Sequence, residues 1–217
     1  GYTYTAPRLS LGVNLYYMKY KDQLVPTGMV NDDSNALNTN VPDSYRRGVE
    51  LSASWRATGW FTVGANATFS QNRIENYVDA LKDSPTYGKE LGDMTIAYSP
   101  DVIANAFLNF HHRGFEAVFH TQHVGKQYFT NNENDALSLD AYCVTNLNLA
   151  YTFRTRSARS VRLGLLINNL FNAEYESNGY GYSYMDTWSG PAPVRIDEAY
   201  YFPQAPLNVL ANVTVKF

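Results

Sequence analysis

One cysteine, Cys143, stands among 217 residues, so an internal disulfide is excluded. Its neighbours, AYCVTNLNL, place it mid-strand as a small filler. Long apolar runs are missing as well. Nothing approaches the ~18 consecutive apolar residues of a membrane-crossing helix, and the stretch from Leu163 to Ile167 is interrupted within a few residues. A basic surplus is missing: 17 Lys and Arg against 20 Asp and Glu leave a net charge of −3, with a pI near 5.8. That is no footprint for nucleic acid. Helical periodicity is missing between the apolar segments, so a parallel sheet with crossover helices is not expected. The opening GYTYTAPRLS lacks the charged start and apolar core of a signal peptide. A fragment of an exported protein and a cytoplasmic chain both satisfy that last observation.

What is present is aromatic and alternating. There are 18 Tyr and 11 Phe, and 45% of residues are hydrophobic, yet the mean hydropathy is −0.35. Such a balance suits many short strands set between two environments. It does not suit disorder. Leu9, Leu11, Val13, Leu15 and Tyr17 alternate with Ser10, Gly12, Asn14 and Tyr16. The same period of two recurs in Val49–Trp55, Phe61–Phe69, Ala104–Phe110, Phe115–Phe119, Leu147–Phe153, Val161–Ile167 and Val209–Phe217. The reading is about eight strands, each long enough to cross a tilted membrane.

Alternation fits two architectures. In a soluble sandwich the apolar face meets a second sheet; in a membrane barrel it meets lipid, and the polar face meets a wet lumen. The connections discriminate. Short ones at Arg56–Gly59, His111–Gly114 and Arg154–Ser160 alternate with long ones at about Lys21–Asp43, Asn72–Ser99, Val124–Asp140 and Asn172–Pro203. Outer-membrane barrels keep short periplasmic turns and long external loops in this order. Aromatics near strand ends, namely Tyr16, Tyr17, Tyr20, Trp60, Phe61, Tyr98, Phe110, Tyr128, Phe129, Tyr151, Phe153, Tyr200, Tyr201 and Phe202, fit interfacial girdles.

The final segment, LNVLANVTVKF, ends on Phe217 and resembles the barrel-assembly signal of Gram-negative outer-membrane proteins. Ile167-Asn168-Asn169-Leu170-Phe171-Asn172 with Tyr175 resembles the signature that ends the penultimate strand of TonB-dependent receptors. VNLYYMKYKDQLV, then Asn40-Val41, then Ser44–Leu51 around Arg47-Gly48-Val49-Glu50 resemble that family's upstream strands in the family's order. Tyr-Phe-Pro-Gln-Ala-Pro-Leu-Asn at 201–208 resembles receptors of Bacteroidetes-type bacteria.

The resemblance implies an all-β, antiparallel transmembrane barrel. The chain would supply about eight of roughly 22 strands, and residues 1–217 would be the C-terminal portion, with plug domain and N-terminal strands absent. It implies uptake of a scarce ligand, an iron–siderophore or similar metal complex, at the outer membrane of a Gram-negative bacterium. The implied partners are the TonB–ExbB–ExbD complex, the receptor's own plug, outer-membrane lipid and a small-molecule ligand. A glycan importer of the starch-utilisation type and a passive small barrel closed by the eight strands are the competing readings. Active transport needs no catalytic constellation, so no enzyme activity and no cofactor are expected.

Candidate sites follow from that orientation. The last long loop carries Tyr180, Tyr182, Tyr184, Trp188 and Arg195. Aromatics there can stack on a flat ligand and Arg195 can pair with an anionic one. Tyr87, beside Lys89 and Glu90, is a second candidate. Gly179-Tyr180-Gly181-Tyr182 reads as a flexible loop. Glu50, Arg56, Asn66, Asn105, Glu116, Asn146, Asn148 and Arg162 would face the lumen and hold the plug. Arg154, Arg156 and Arg159 are read as meeting lipid headgroups. His111 and His112 are adjacent on a turn, and His120 and His123 are three apart on a strand, so neither pair chelates a metal from a regular strand.

Overall fold

The computed structural model describes residues 1–31 and 35–217. Its strands are β1 (Tyr2–Ala6), β2 (Leu9–Val30), β3 (Ala36–Arg56), β4 (Phe61–Ile74), β5 (Met94–Thr95), β6 (Val102–His112) and β7 (Phe115–Val124). There follow β8 (Gln127–Tyr128), a 3₁₀ turn (Asp135–Leu137), β9 (Ser138–Leu139), β10 (Tyr142–Phe153), β11 (Ser160–Asn168), β12 (Glu176–Asp186), β13 (Val194–Pro203) and β14 (Asn208–Lys216). The eight strands expected from alternation are β2, β3, β4, β6, β7, β10, β11 and β14. They form one antiparallel sheet in chain order, with β1 added at the β2 edge and β5 beside β4. The sheet is open, with β1 and β14 at its edges. The eight strands therefore do not close as a small barrel, as one reading of the sequence allowed.

Register carries the period of two across the sheet. In β2, β3 and β4 the residues Leu11, Ala53 and Ala65 stand in line, as do Leu15, Val49 and Phe69. Farther on, Leu149 faces Leu165 and Leu165 faces Ala211. The other face aligns Ser52 with Asn66 and Asn66 with Asn105. Because partners across a ladder share a face, one surface is mainly apolar, with Thr121, Thr145 and His123 as exceptions, and the other mainly polar. The apolar surface is uncovered: Leu15 is 70% exposed, Leu163 45% and Val213 65%. A soluble sandwich would bury this face against a second sheet, and none lies on it.

Aromatic side chains bound the apolar band. At the short-turn end Trp60 packs on Phe110 with ring centroids 5.1 Å apart, and Phe110 on Phe115 at 5.9 Å. Tyr151 stacks on Phe153 at 6.0 Å. At the other end Tyr17 stacks on Tyr45 at 6.3 Å, and Phe119 meets Phe171 at 6.3 Å. The short turns are tight. Arg113 and Gly114 both take positive φ, +47° and +86°, as a two-residue hairpin turn matched to strand twist requires. His111 and His112 thus belong to β6 and not to the turn, and they point to opposite faces.

The long connections depart most from expectation. Much of Lys21–Asp43 is strand: β2 and β3 continue as a paired arm above the band, with a register shift between Pro26 and Val30. Residues 176–203, read as a loop, hold the β12–β13 hairpin. Ladder hydrogen bonds and packing order the glycine-rich stretch that looked flexible.

The buried hydrophobic clusters lie in this cap. One joins Val25, Val41, Ile74, Tyr77 and Ile96. The other joins Phe129, Leu137 and Leu139 beneath the hairpin. A Cβ at Gly179 would meet Phe129 at 2.8 Å, and one at Gly181 would meet Phe129 at 2.8 Å and Leu137 at 2.9 Å. The hairpin therefore reaches the Phe129 cluster through its two glycines. Asn131, fully buried, ties the arm to the cap: its amide donates to the Pro26 carbonyl at 2.6 Å and its Oδ1 accepts from the Ala97 N–H at 2.7 Å.

Two outcomes test this arrangement. Leu165→Arg, at mid-height on the apolar face, should cost about 2–4 kcal/mol in urea titrations of the membrane-inserted protein. Asn148→Arg, on the polar face at the adjoining height, should cost much less; equal costs would mean that the faces are assigned wrongly. Gly181→Val should lift the hairpin off Phe129. Amide exchange of 176–203 should then accelerate while β10 and β11 keep their protection. Unchanged exchange in the hairpin would show that Phe129 does not hold it.

Candidate functional site

The β12–β13 hairpin has two unlike faces because strand residues alternate. Gly179, Gly181, Ser183, Asp197, Ala199 and Tyr201 share the face turned to the cap. There Tyr201 packs on Phe129 with centroids 5.8 Å apart, and the Ser183 hydroxyl donates to Asp197 at 2.6 Å. The opposite face carries Tyr180, Tyr182, Tyr184, Glu198, Tyr200 and Phe202. Tyr180 stacks on Tyr200 at 5.0 Å, Tyr182 on Tyr200 at 6.4 Å, and Tyr182 meets Tyr184 at 6.4 Å. The result is a ladder of tyrosine rings.

Glu198 fixes that ladder. Its carboxylate accepts O–H bonds from Tyr182 at 2.6 Å, Tyr200 at 2.9 Å and Tyr184 at 3.2 Å. Donation from Tyr182 first, then Tyr200, holds the Glu198 carboxyl below its ordinary value. The same bond to Glu198 pushes the Tyr182 phenol far up and raises that of Tyr200. On the cap face burial pushes Asp197 up, but hydrogen bonds from Ser183, Arg195 and Asn134 outweigh it and leave the group lowered.

Tyr180, Gly181, Tyr182 and Tyr200 line one side of a recess of about 500 Å³. Tyr98 and Phe129 also line it, together with Pro26, Gly28, Met29, Val30 and Leu37 of the β2–β3 arm. The hairpin reaches this arm because β12 packs on β2, six positions away from β11 in the sheet. The recess is apolar and aromatic, with phenol oxygens at its edge, and suits a planar or ring-bearing ligand.

The sequence candidates divide accordingly. Tyr180 and Tyr182 line the recess, and Tyr184 extends their ladder. Trp188, 94% exposed, stands at the hairpin tip. Arg195 lies on the cap face, where its Nε donates to Asp197 at 2.9 Å and its Nη2 to Ser183 at 3.0 Å. The structure therefore does not bring it together with the tyrosines. Tyr87 sits on a turn outside the recess lining, its N–H bonded to the Ser84 carbonyl. Sequence reasoning placed Tyr98, Phe129 and Tyr200 in the membrane girdle, whereas Phe129 is buried under the hairpin and all three line the recess; it missed Met29 and Leu37. Only the strand alternation of 194–203 could have flagged Tyr200, since the others arrive by long-range packing.

Glu50, Asn66, Asn105, Glu116 and Asn148 share the polar face of the sheet. Asn14 donates to Glu50 at 2.9 Å and Asn105 to Asn66 at 3.1 Å. Arg162 clamps Glu116 with two N–H bonds, at 2.6 and 2.8 Å, the bidentate form that fixes direction as well as charge. Asn148 sits in register between Val118 and Leu166. His120 and His123 take opposite faces of β7. Among the described residues no group of three or more His, Cys, Asp or Glu is placed to hold a metal ion. Phe217 is 93% exposed at the end of the last strand.

Residues 1–170 match the family described as TonB dependent receptor-like, beta-barrel. Among solved structures the chain is similar to the ferric yersiniabactin uptake receptor FyuA from Yersinia pestis, with 18% identity and a TM-score of 0.67 over 99% of this chain and 28% of that one. It is similar to the copper transporter OprC, with 19% identity and a TM-score of 0.66 over 99% and 30%. The ferric citrate transporter FecA gives 14% identity and a TM-score of 0.63 over 97% and 29%. The chain thus spans less than a third of each of these structures. At such identities the likeness shows the fold; the family match carries the assignment. Its members are transporters or receptors of the Gram-negative outer membrane, where an exposed apolar band between two aromatic girdles has its solvent. The open girdled sheet described above is accordingly a stretch of barrel wall, and the chain belongs to the TonB-dependent receptor family.

Proposed function

We propose that this chain is the C-terminal part of the wall and external cap of a receptor that takes up a scarce small ligand, an iron–siderophore or similar metal complex. The energy comes from the TonB–ExbB–ExbD complex acting through a plug domain outside this chain. The observation that carries the reading is the recess between the β12–β13 hairpin and the β2–β3 arm, set on the long-loop side and lined also by Tyr98 and Phe129. In this reading the Tyr180–Tyr200–Tyr182 ladder, continued by Tyr184, stacks on the ligand, and Trp188 makes an outer contact. Glu50, Asn66, Asn105, Glu116 and Asn148 meet the plug, and Phe217 serves barrel assembly. Arg195 is assigned to bracing Asp197. The chain performs no catalysis. Two unpaired sheet edges support membership of a larger barrel, since an isolated edge invites aggregation. The structural neighbours named above bind ferric or copper cargo, which supports a metal complex over a glycan.

Titration of the full-length receptor with ferric yersiniabactin, ferric citrate, a ferric catecholate and maltohexaose, read by intrinsic fluorescence, tests the ligand class. One ferric complex should bind. The Tyr180→Ala/Tyr200→Ala double variant should weaken it about tenfold, as loss of two stacking rings implies. Binding of maltohexaose alone would select the glycan importer, and equal affinity in the double variant would remove the hairpin from the site.

The hairpin should also respond to pH in a defined direction. Glu198 and Asp197 have lowered values in the fold, so their contribution is present above the ordinary carboxylate range and is lost as pH falls through their folded values. Tyr182 and Tyr200 are raised, so theirs is present below the ordinary phenol value and is lost as pH rises. Limited proteolysis within 176–203 should therefore stay slow between about pH 5 and 9 and quicken on both sides. A transition near neutrality would contradict the Glu198 assignment.

A further inference from the structure

The short-turn end of the sheet is cationic all along its length. Arg8 lies in the β1–β2 turn, Arg56 closes β3 at the next, and Arg113 forms the β6–β7 turn. Arg154, Arg156 and Arg159 occupy the β10–β11 turn, and Lys216 ends β14 beside it. All seven side chains are exposed. None makes an ion pair among the described residues. No Asp or Glu stands in any of these turns, and the nearest, Glu116, is already clamped by Arg162. Apart from Glu50 and Glu116 on the wall, the carboxylates of the described residues collect at the opposite end, in the cap.

We infer that this rim binds the anionic headgroups of phospholipids in the periplasmic leaflet. Three observations point to a lipid surface. The cations sit directly beneath the aromatic girdle of Trp60, Phe110, Phe115 and Phe153, where a wall leaves hydrocarbon for headgroups. The turn residues Arg8, Arg113, Arg154, Arg156 and Arg159 recur along the edge, whereas Arg56 and Lys216, in register with Thr62 and Ser160, stand on the lumen face. Successive turns are two strands apart, roughly 10 Å, so the row meets an extended surface better than a single peptide. Arg113, Arg154, Arg159 and Lys216 surround one recess of about 940 Å³ together with Phe153 and Phe217. That lining offers charge to a phosphate and rings to the upper part of a lipid. The inference rests on the membrane orientation of the wall, not on any ligand of the cap.

The test uses full-length receptor in phosphatidylcholine vesicles that carry either brominated phosphatidylglycerol or brominated phosphatidylcholine at the same fraction. Bromine quenches nearby tryptophan, and Trp55 and Trp60 lie at this rim. The glycerol lipid should be preferred by about fivefold, the effect of one engaged cation near a charged surface. High salt should erase the preference, because exposed charges are screened. The variant Arg113→Asn/Arg154→Gln/Arg156→Gln/Arg159→Gln should lose it. Asn-Gly suits the same hairpin turn, and retained β-type circular dichroism confirms that the variant wall is folded. Equal quenching by the two lipids in the unaltered receptor would overturn the proposal. So would a preference that survives in the folded variant, which would leave the rim to a periplasmic protein or to the plug. Neither ligand nor energy source enters the measurement, so failure of the transport reading would leave its outcome unaffected.

Discussion

A strand inside hydrocarbon has no water to satisfy its N–H and C=O groups, so each must find a partner on a neighbouring strand. The unbroken antiparallel ladder from β1 to β14 answers that demand, and the rest of the molecule is arranged around it. A ladder fixes register, and register fixes which face each side chain takes. Leu165 then has lipid before it, while Asn66, Asn105 and the Glu116–Arg162 pair have the lumen. The wall has no core of its own, since both faces are committed to other surroundings. Its stability comes from paired backbone and from exclusion of the apolar face by water. The two buried hydrophobic clusters belong to the cap.

That division decides which parts of the structure could be read from the chain. Within the band, each strand position is either lipid-facing or lumen-facing, and composition reports it directly. All eight wall strands were therefore legible, along with the positions of their short turns, though His111 and His112 proved to be strand and Phe129 and Tyr200–Phe202, read as girdle, belong to the cap. Above the band the demand disappears. Gln23 to Val30 continues β2 past a proline and a glycine, residues that argue against a strand when only local propensity is weighed. Tyr2–Ala6 was missed for a different reason: it is too short for its alternation to stand out.

The hairpin shows the same limit at the candidate site. Glycine at 179 and 181 reads locally as freedom, whereas in the structure it admits Phe129 and Leu137 to contact with the backbone. Nothing near residue 180 announces a phenylalanine some fifty positions earlier in the chain. The tyrosines were legible as candidates because aromatics in an external connection have few local reasons to be there. That they share a face, and that Arg195 does not, follows from the pairing of β12 with β13. Tyr98, Met29 and Leu37 enter the recess only through tertiary packing.

The contrast between the two rims follows from how each is anchored. The outer rim is deep: the β2–β3 arm, the segment around Phe129 and the hairpin pack on one another and pair their charges internally. Examples are Lys126 with Asp135 and Arg195 with Asp197, at 2.5 and 2.9 Å. Glu133 goes further, accepting from Arg73 and from the Thr95 hydroxyl and N–H at once. Charges there are spent on holding the cap together, so the recess recognises chiefly through rings and phenols. The inner rim is shallow, with turns as short as the Arg113-Gly114 pair. Such turns have no room for internal partners, and their arginines face outward unpaired. A short turn thus leaves its charges to the surroundings, which makes the shallow rim the side of this wall whose electrostatics act on the membrane.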